Sequence, residues 1–220
     1  MFFRTPFFLP LVYPGLTWRI PAQEKKIYLT FDDGPVPGPT EFVLDTLKSF
    51  QSQATFFCIG DNVRKHPSVF KRIIQEGHAA GNHTFNHVKG WSHPVEYYVK
   101  NVLQCEQQLK DTGYQPPVAS RPLFRPPYGR ITLRQIKALH PYNIIMWDVL
   151  TSDYNQRLNA EKCLRESIRA TRTGSVVVFH DSVKAEKNMT YVLPRYMEHF
   201  LKEGFTFDVI PASPVPSFKP

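Results

Sequence analysis

The sequence predicts a parallel α/β fold, in the form of a small barrel built from seven strand–helix units. Short apolar runs alternate along the 220 residues with stretches whose apolar positions recur every three or four residues, as strands alternate with amphipathic helices. The run 175–179 (SVVVF) is almost entirely apolar, as expected of a strand covered on both faces of a parallel sheet. No Gly-x-Gly-x-x-Gly turn occurs, which favours a barrel over a dinucleotide-binding open sheet.

Seven runs rich in β-branched, aromatic or apolar residues predict the strands. The first reads IYLTF, and the second, ATFFCI, ends at Gly60. The fifth reads NIIMW and ends at Trp147. The predicted strands cover 27–31, 54–59, 78–82, 123–125, 143–147, 175–179 and 205–210.

Helical periodicity and helix-end signals predict the helices between these strands. The stretch 41–50 has its apolar residues on one side, and Thr40 can cap its start. Pro67 begins the next helix and Gly77 ends it, while Pro194 lies near the start of the last helix. The predicted helices cover 41–50, 66–76, 94–111, 132–139, 160–170 and 191–203.

Length and composition indicate one compact globular domain. The 220 residues suffice for a sizeable core but are short for two domains. Hydrophobic residues make up 42% of the chain and charged residues 21%, close to globular averages. We therefore divide the chain into an N-terminal segment, 1–25, packed on the barrel, a domain at 26–210, and a proline-rich tail at 211–220.

The net charge of +8 and the sequence pI near 9.4 are compatible with nucleic acid, anionic lipid or an anionic glycan as a partner. Lysines and arginines are spread along the chain without a run of five or more. This distribution is typical of ordinary solvated side chains, so we predict no nucleic-acid partner. The sequence carries no signal for the oligomeric state.

Cysteine usage and hydropathy bear on location. Cys58, Cys105 and Cys163 are an odd number without Cys-x-x-Cys spacing, which predicts buried reduced thiols, as in a cytosolic chain. No stretch approaches 18 apolar residues, so no transmembrane segment is predicted. The apolar start, 1–12, contains two prolines and lacks an Ala-x-Ala-like cleavage site. We expect a cytoplasmic protein; a degenerate secretion signal and a place at the cell envelope are the alternatives.

Polar and ionisable residues follow the predicted strands. In a parallel barrel the carboxyl ends of the strands meet at one edge, where function gathers. We therefore expect these residues to converge on one site. In strand order they are Asp32, Asp33 and Gly34; Gly60, Asp61 and Asn62; His83 and His87; Arg125 to Gly129; Asp148, Asp153 and Tyr154; and His180 and Asp181.

Two pairs of residues indicate a metal site. Asp32 and Asp33 are adjacent carboxylates, which repel each other in an apolar setting unless a cation neutralises one and the other gains a proton. Asp-Gly-Pro is also favourable turn chemistry, so this pair alone leaves both interpretations open. His83 and His87, four residues apart, would share one face of a helical turn, ready for one metal. Asp33 is the natural third ligand, and such a set leaves positions open for water and substrate.

Arg125 and His180 are the other candidates. Arg125 begins Arg-Pro-Pro-Tyr-Gly, in which the prolines fix the backbone. Its guanidinium could hold a carboxylate by a bidentate pair, although a surface loop would suit this segment equally well. His180 ends the sixth strand either as a core histidine or as a catalytic one. Asp153 or Asp181 could orient His180 and raise its pKa.

Five motifs resemble, in order, those of the polysaccharide deacetylase family, also called the NodB-homology or carbohydrate esterase 4 family. The resemblance covers about 27–182 and implies a single-domain, distorted (β/α)7 barrel. It also implies a hydrolase that removes acetyl groups from N-acetylated sugars, such as N-acetylglucosamine-containing oligo- or polysaccharides. The motifs are Thr30-Phe31-Asp32-Asp33-Gly34-Pro35, His83-Thr84-Phe85-Asn86-His87, Arg125-Pro126-Pro127-Tyr128-Gly129, Trp147 through Asp153-Tyr154, and Val178-Phe179-His180-Asp181.

The resemblance implies a role for each site residue. Asp33, His83 and His87 resemble the metal ligands, and Asp32 resembles the general base. The further roles are those of Arg125, which holds the base; Tyr128, whose backbone N–H meets the oxyanion; His180, the general acid; Asp153, which tunes that acid; and Trp147 and Tyr154, which border the substrate.

The chemistry of these residue types agrees with the implied reaction. A divalent metal activates water for attack on the acetyl carbonyl, which releases acetate and a free amine. Zinc suits two imidazoles and a carboxylate best, and cobalt, nickel or manganese are alternatives. The sequence departs from the family pattern at Leu150, where a further Asp is common, and at Tyr154, where a Trp is common. The second departure lies in a substrate-groove wall and leaves the reaction type intact.

Two groups of alternatives stay open at this point. Within the same family, the chain could hydrolyse acetyl esters, as on xylan, or cyclic imides and amides. From a different class, it could be a catalytically silent barrel that binds glycans. The presence of Asp32, Asp33, His83, His87 and His180 argues against the silent barrel, because pseudoenzymes usually lose a ligand or the base.

Overall fold

The structure, a computed structural model, describes residues 3–116 and 120–211. Its central sheet is parallel and curled into a half-barrel, with the strand order β5-β4-β3-β2-β1-β7-β6. An additional strand, β8, pairs with the start of β1. The strands are β1 Lys26–Asp32, β2 Thr55–Cys58, β3 Ala79–Asn82, β4 Leu123–Phe124, β5 Asn143–Ile144, β6 Val149–Leu150, β7 Val176–His180 and β8 Thr206–Phe207.

Helices cover the outside of this sheet. They are α1 Leu9–Val12, α2 Pro39–Ser49, α3 Gly60–Lys65, α4 Pro67–Gln75, α5 Val95–Asp111, α6 Leu133–Ala138, α7 Ala160–Ala170 and α8 Glu186–Lys202, with short 3₁₀ turns at Gly90–Ser92 and Pro127–Gly129. The predicted single-domain parallel α/β barrel is confirmed. Among the described helices, none combines the length and the apolar character needed to span a bilayer.

The strand predictions are wrong in two places. The seventh strand of the main sheet is β6, which the sequence analysis missed because two residues are too few to show a period. The predicted strand 205–210 is reduced to β8, which pairs only with Lys26 and Ile27 at the start of β1. The curled sheet is therefore completed by β6 and not by the last predicted strand.

The N-terminal segment lies across the gap between β5 and β6, the two ends of the sheet. The backbone N–H of Thr17 donates to Ile144 O at 2.9 Å, and that of Leu150 donates to Phe3 O at 2.9 Å. The segment thus supplies backbone partners to both edge strands, which would otherwise present unpaired groups. The division at residue 25 stays a prediction, and the predicted tail, apart from Pro211, lies outside the described residues.

Three helix predictions need correction. Helix α2 begins at Pro39 with Gly38 as its N-cap, so Thr40 does not cap it and its hydroxyl is free for another role. Helix α3 was not predicted, because it begins at Gly60, only two residues after β2 ends at Cys58, and the glycine was interpreted as the end of the strand alone. Helix α8 begins at Glu186, five residues before the predicted start, so that Pro194 lies inside it.

Aromatic packing beneath β1 makes that strand a rigid support. The ring of Phe31 stacks on Phe56 at 5.1 Å and on Phe179 at 6.0 Å between centroids. All three residues are at most 1% exposed, and they join β1 to its neighbours β2 and β7. Burial of such rings is a major source of stability, and here it fixes the strand that carries Asp32. The three cysteines are free and buried, as predicted.

Candidate metal centre and active site

The carboxyl edge of the sheet brings most of the predicted site residues together. Asp32 at the end of β1 lies in register with His180 at the end of β7. His83 directly follows β3, and Arg125 directly follows β4, which pairs with β3. Strand order and register therefore place four ionisable side chains from separate parts of the sequence around one point.

Asp33, His83 and His87 form the candidate metal centre. Each offers one ligand atom, and these atoms all lie within 4.8 Å of one another. The Oδ1 atom of Asp33 is 3.1 Å from His87 Nε2 and 3.7 Å from His83 Nε2. One carboxylate oxygen and two imidazole nitrogens facing a common point are a donor set that suits a divalent metal and leaves coordination positions open.

The surroundings prepare these three side chains for a cation. Burial lowers the pKa of His83 to about 4, so the ring is neutral. Its Nδ1 lies 2.8 Å from Arg125 O, and donation to that carbonyl leaves the Nε2 lone pair facing the centre. Burial raises the pKa of Asp33, but His87, His180 and His83 outweigh it and hold that pKa well below its usual range.

The two histidines do not lie on a helical turn, contrary to the prediction from their spacing. They belong to a loop after β3 in which Thr84 (φ 61°) and His87 (φ 54°) both have left-handed backbone. Asn82 Oδ1 accepts the Thr84 N–H at 2.8 Å, and Thr84 Oγ1 accepts the Val88 N–H at 3.0 Å. Side-chain hydrogen bonds of this kind replace a helical ladder and bring both rings to Asp33.

Arg125 is buried and not on a surface loop. It is 0% exposed, and its Nη1 donates to Asp32 Oδ1 at 2.7 Å. The contact with Asp32 is a single hydrogen bond and not the predicted bidentate pair, because the other donors bond the Thr30 hydroxyl and the carbonyls of Ile145 and Met146. Such a buried, hydrogen-bonded guanidinium is a fixed anchor for one carboxylate.

His180 and Asp153 form a second charged pair beside the centre. His180 Nδ1 lies 2.8 Å from Asp153 Oδ1, and Asp153 Oδ2 accepts the His180 backbone N–H at 2.8 Å. Burial lowers the pKa of His180, but the charge of Asp153 and this hydrogen bond outweigh it and raise that pKa to about 9. His180 is therefore protonated at neutral pH. The partner is Asp153 and not Asp181, which the sequence had left as an alternative.

Three aromatic residues border this region. The exposed ring of Tyr128 lies 4.6 Å from that of His87, on backbone with φ 60°. The ring of Tyr154 lies edge-on to His180 at 4.9 Å. Trp147 lies behind the Tyr128 loop, since a Cβ atom on Gly129 would come within 2.6 Å of its ring. Tyr128 thus lies beside the proposed ligand His87, and Tyr154 lies beside His180.

Asp148 is not at this edge, contrary to the prediction. It directly precedes β6, and in a parallel sheet the start of a strand lies at the opposite edge from the carboxyl ends. Its carboxylate accepts from Ser175 Oγ at 2.7 Å and pairs with Arg172 at 3.2 Å, both before β7. The prediction failed because the sequence analysis ended the fifth strand at Trp147 and missed the strand that follows.

Asp181 holds the backbone beside Asp33, a role that the sequence analysis did not assign. Its Oδ1 accepts the Gly34 N–H at 2.9 Å, and its Oδ2 accepts the Thr40 hydroxyl at 2.6 Å. Asp33 itself has φ 81°, and Asn62 Nδ2 donates to its carbonyl at 2.7 Å. A non-glycine residue in this region costs about 1–3 kcal/mol and persists only when its surroundings impose it.

Gly34 is required by this contact. A Cβ atom at Gly34 would lie 1.9 Å from Asp181 Oδ2, so a larger residue would displace the carboxylate. Burial raises the pKa of Asp181 to about 8, with the charge of Asp33 as a further cause and the hydrogen bonds from Thr40 and Gly34 opposing it. The only sequence signal for Asp181 was its position directly after His180.

The fold and this donor set define the class of a hydrolase that uses a divalent metal. A family model described as "Polysaccharide deacetylase" matches residues 19–146, more than half of the chain. The chain belongs to the polysaccharide deacetylase family. The predictions of this family and of a metal-dependent carbohydrate deacetylase are thereby confirmed, while the identity of the metal is not fixed by the match.

Individual relatives agree with the family assignment. A peptidoglycan-N-acetylglucosamine deacetylase of Bacillus cereus (strain ATCC 14579) is 31% identical over 196 residues, which are 87% of this chain and 89% of that enzyme. A chitooligosaccharide deacetylase of Azorhizobium caulinodans is 28% identical over 213 residues, 90% of this chain and 98% of that enzyme. Several other matched deacetylases are longer, and the match covers between 33% and 58% of their length.

The solved structures agree as well. The chain superimposes on the crystal structure of the Bc1960 peptidoglycan N-acetylglucosamine deacetylase, in complex with 4-naphthalen-1-yl-N-oxidanyl-benzamide, with a TM-score of 0.85. The two share 28% sequence identity, and the match covers 98% of this chain and 100% of the other. The distorted (β/α)7 barrel is therefore shared over essentially the whole chain.

Proposed function

We propose that the protein hydrolyses N-acetyl groups of glycans that contain N-acetylglucosamine, with a zinc ion held by Asp33, His83 and His87. The observation that carries this proposal is the position of Asp32. Its carboxylate is 4% exposed and anchored by Arg125, and it directly precedes Asp33 at the end of β1. The names of the relatives, which act on peptidoglycan and chitooligosaccharides, support the substrate class.

The three proposed ligands fit zinc by their chemistry. Structural and catalytic zinc sites use imidazole and carboxylate donors, and three protein ligands leave room for water and substrate. Cobalt, nickel and manganese remain alternatives, since such donor sets do not select one metal by affinity alone. A divalent ion bound there would lower the pKa of water and polarise the acetyl carbonyl.

Protein groups then perform the proton transfers. Asp32, held by Arg125, takes a proton from the attacking water as the general base. The backbone N–H of Tyr128 donates to the oxyanion that develops on the acetyl oxygen. An amine leaves poorly unless it is protonated, and His180, held by Asp153, is the acid that supplies this proton. The products are acetate and a free amino sugar.

The pH dependence of the reaction tests the role of His180. The acid must be protonated, so kcat falls as the pH rises through the pKa of His180. Without bound metal that pKa is raised to about 9, and a cation beside Asp33 would bring it down from this value. We expect Asp153→Asn, which keeps an oxygen for the ring N–H but removes the charge, to move the alkaline limb down by about one unit or more. If the alkaline limb of the kcat–pH profile does not move in Asp153→Asn, His180 is not the general acid.

Asp181 is proposed to position Asp33, and two buried carboxylates offer a matched comparison. We expect Asp181→Ala to weaken zinc binding by roughly 10–100-fold, the usual effect of losing a group that orients a ligand. Asp148→Ala removes an equally buried carboxylate at the opposite edge, so it should lower the Tm and leave the affinity unchanged. The zinc affinity of wild type and of both variants is measured by titration calorimetry. If Asp181→Ala binds zinc as tightly as wild type does, the positioning role is refuted.

A panel of substrates tests the proposed reaction against its alternatives. Acetate release is measured from N-acetylglucosamine oligomers, from peptidoglycan fragments and from acetylated xylan. We expect release from the first two, with one free amine formed for each acetate. Release from xylan alone would identify an ester hydrolase. Tight glycan binding without any acetate release, insensitive to chelation, would identify a silent barrel.

A further inference from the structure

Trp91 is an exposed aromatic side chain that is nevertheless held in place. It is 61% exposed, yet its indole N–H donates to Ile131 O at 3.1 Å. The neighbouring Gly90 N–H donates to Arg130 O at 3.0 Å. These two bonds join the loop that follows His87 to the loop that follows Tyr128, so the indole has a fixed orientation.

A buried glutamine makes this junction rigid. Gln135 is 0% exposed, and its Nε2 donates to Gly90 O at 2.9 Å and to His93 O at 3.1 Å. A Cβ atom at Gly90 would lie 2.4 Å from Arg130 O, so glycine is needed for the two loops to approach this closely. The structure thus fixes a large aromatic side chain in solvent, where packing gives it little stability.

The position of Trp91 connects it with the candidate active site. It follows His87 by four residues on one loop. The carbonyl of Ile131, which accepts from its indole N–H, and that of Arg130, which accepts from Gly90, closely follow Tyr128 on the other loop. Tyr128, also 61% exposed, contacts the His87 ring. The two exposed aromatic rings therefore belong to the same pair of joined loops, one of which carries the proposed metal ligand His87.

The chemistry of this pair fits a sugar ring. The guanidinium of Arg130 lies over the Trp91 ring, 5.1 Å from its centroid, which leaves the opposite face of the indole for a ligand. A pyranose ring has an apolar face of C–H groups that can pack on this opposite face of the indole, while Arg130 holds the indole from the other face. Tryptophan and arginine are also the residue types that contribute most per residue at binding interfaces.

We propose that Trp91, oriented by Arg130, forms a subsite for a neighbouring sugar of the glycan, so that the protein acts on oligosaccharides in preference to single N-acetylglucosamine units. This inference rests on the proposed function, because the subsite is useful only if the scissile acetyl group belongs to a longer chain. Binding energy gained at such a remote unit holds the whole oligosaccharide more tightly, which lowers KM.

The test compares an N-acetylglucosamine tetramer with the monosaccharide. We expect Trp91→Ala to lower kcat/KM for the tetramer by roughly 10–30-fold, mainly through KM, and to leave the monosaccharide unaffected. Trp91→Phe should keep much of the activity, and Arg130→Gln should have an intermediate effect. Leu103→Ala, which shortens another exposed side chain, 52% exposed on α5, is the control and should change neither substrate.

Two results would overturn the subsite. If Trp91→Ala loses kcat/KM equally for tetramer and monosaccharide, Trp91 only supports the loops. If the variant loses kcat/KM for neither substrate, Trp91 does not contact the glycan. Calorimetric titration of the tetramer into wild type and Trp91→Ala gives a readout that does not depend on turnover. If wild type binds the tetramer more tightly than the variant but releases no acetate, the proposed reaction fails and the subsite stands; equal binding refutes the subsite.

Discussion

Replacing Asp32 by asparagine is expected to lower kcat by about 10²–10⁴-fold, the contribution of a well-placed general base. Asparagine has nearly the same shape and can still accept the hydrogen bond from Arg125, but it cannot take a proton from water. Because Asp32 is not one of the three proposed ligands, the variant should bind zinc with unchanged stoichiometry. Acetate release and zinc content are measured on the same sample of the variant, so that a loss of catalysis is distinguished from a loss of metal.

The Asp32 variant also has a stability consequence. Arg125 is fully buried and pairs with Asp32 at 2.7 Å, and removing one partner of a buried pair costs about 3–5 kcal/mol. We expect a lower Tm for Asp32→Asn, so activity is compared at a temperature where both proteins are folded by circular dichroism. A folded variant that binds zinc and retains most of its kcat would exclude Asp32 as the base.

Replacing either histidine of the candidate centre by alanine is expected to weaken zinc binding by more than about 100-fold, beyond the effect of losing an orienting group. Acetate release should fall in proportion to the fraction of protein that still holds zinc. His83 is buried and His87 is 24% exposed at its side chain, so His87→Ala is the variant with less effect on folding. His140→Ala, an exposed histidine on the surface, is the matched control.

The histidine experiment distinguishes a metal centre from a simple ion pair. If Asp33 and His87 only paired with each other, His87→Ala would change stability and leave activity insensitive to added metal. Added zinc at high concentration should instead restore part of the activity of His87→Ala, since two ligands remain. Full activity of this variant without bound metal would contradict the proposed centre.

Much of this site could be predicted because the ends of the long strands can be located in the sequence. Strands β1 and β7 are seven and five residues long, most of their residues are buried and apolar, and Asp32 and His180 are their last residues. An apolar run of this length is recognisable in a sequence, and parallel strands bring their carboxyl ends together. The site residues that follow β1, β3 and β7 were therefore placed at the correct edge.

The failures have local physical causes. Strand β6 has two residues and no period, so Asp148 was placed at the wrong edge. The spacing of His83 and His87 is the same on a helical turn and on a loop, and only the left-handed backbone at Thr84 and His87 separates the two. Asp181 acts through Gly34 and Thr40, about 140 residues away in sequence, and no local pattern reports such a contact.

Metal-dependent deacetylation is tested most sharply by acetate release from an N-acetylglucosamine tetramer before and after removal of metal. We predict that wild-type protein releases acetate and free amine in equal amounts, that a chelator stops both, and that added zinc restores both. If acetate release continues unchanged in protein shown to be free of metal, the reaction does not depend on a metal held by Asp33, His83 and His87.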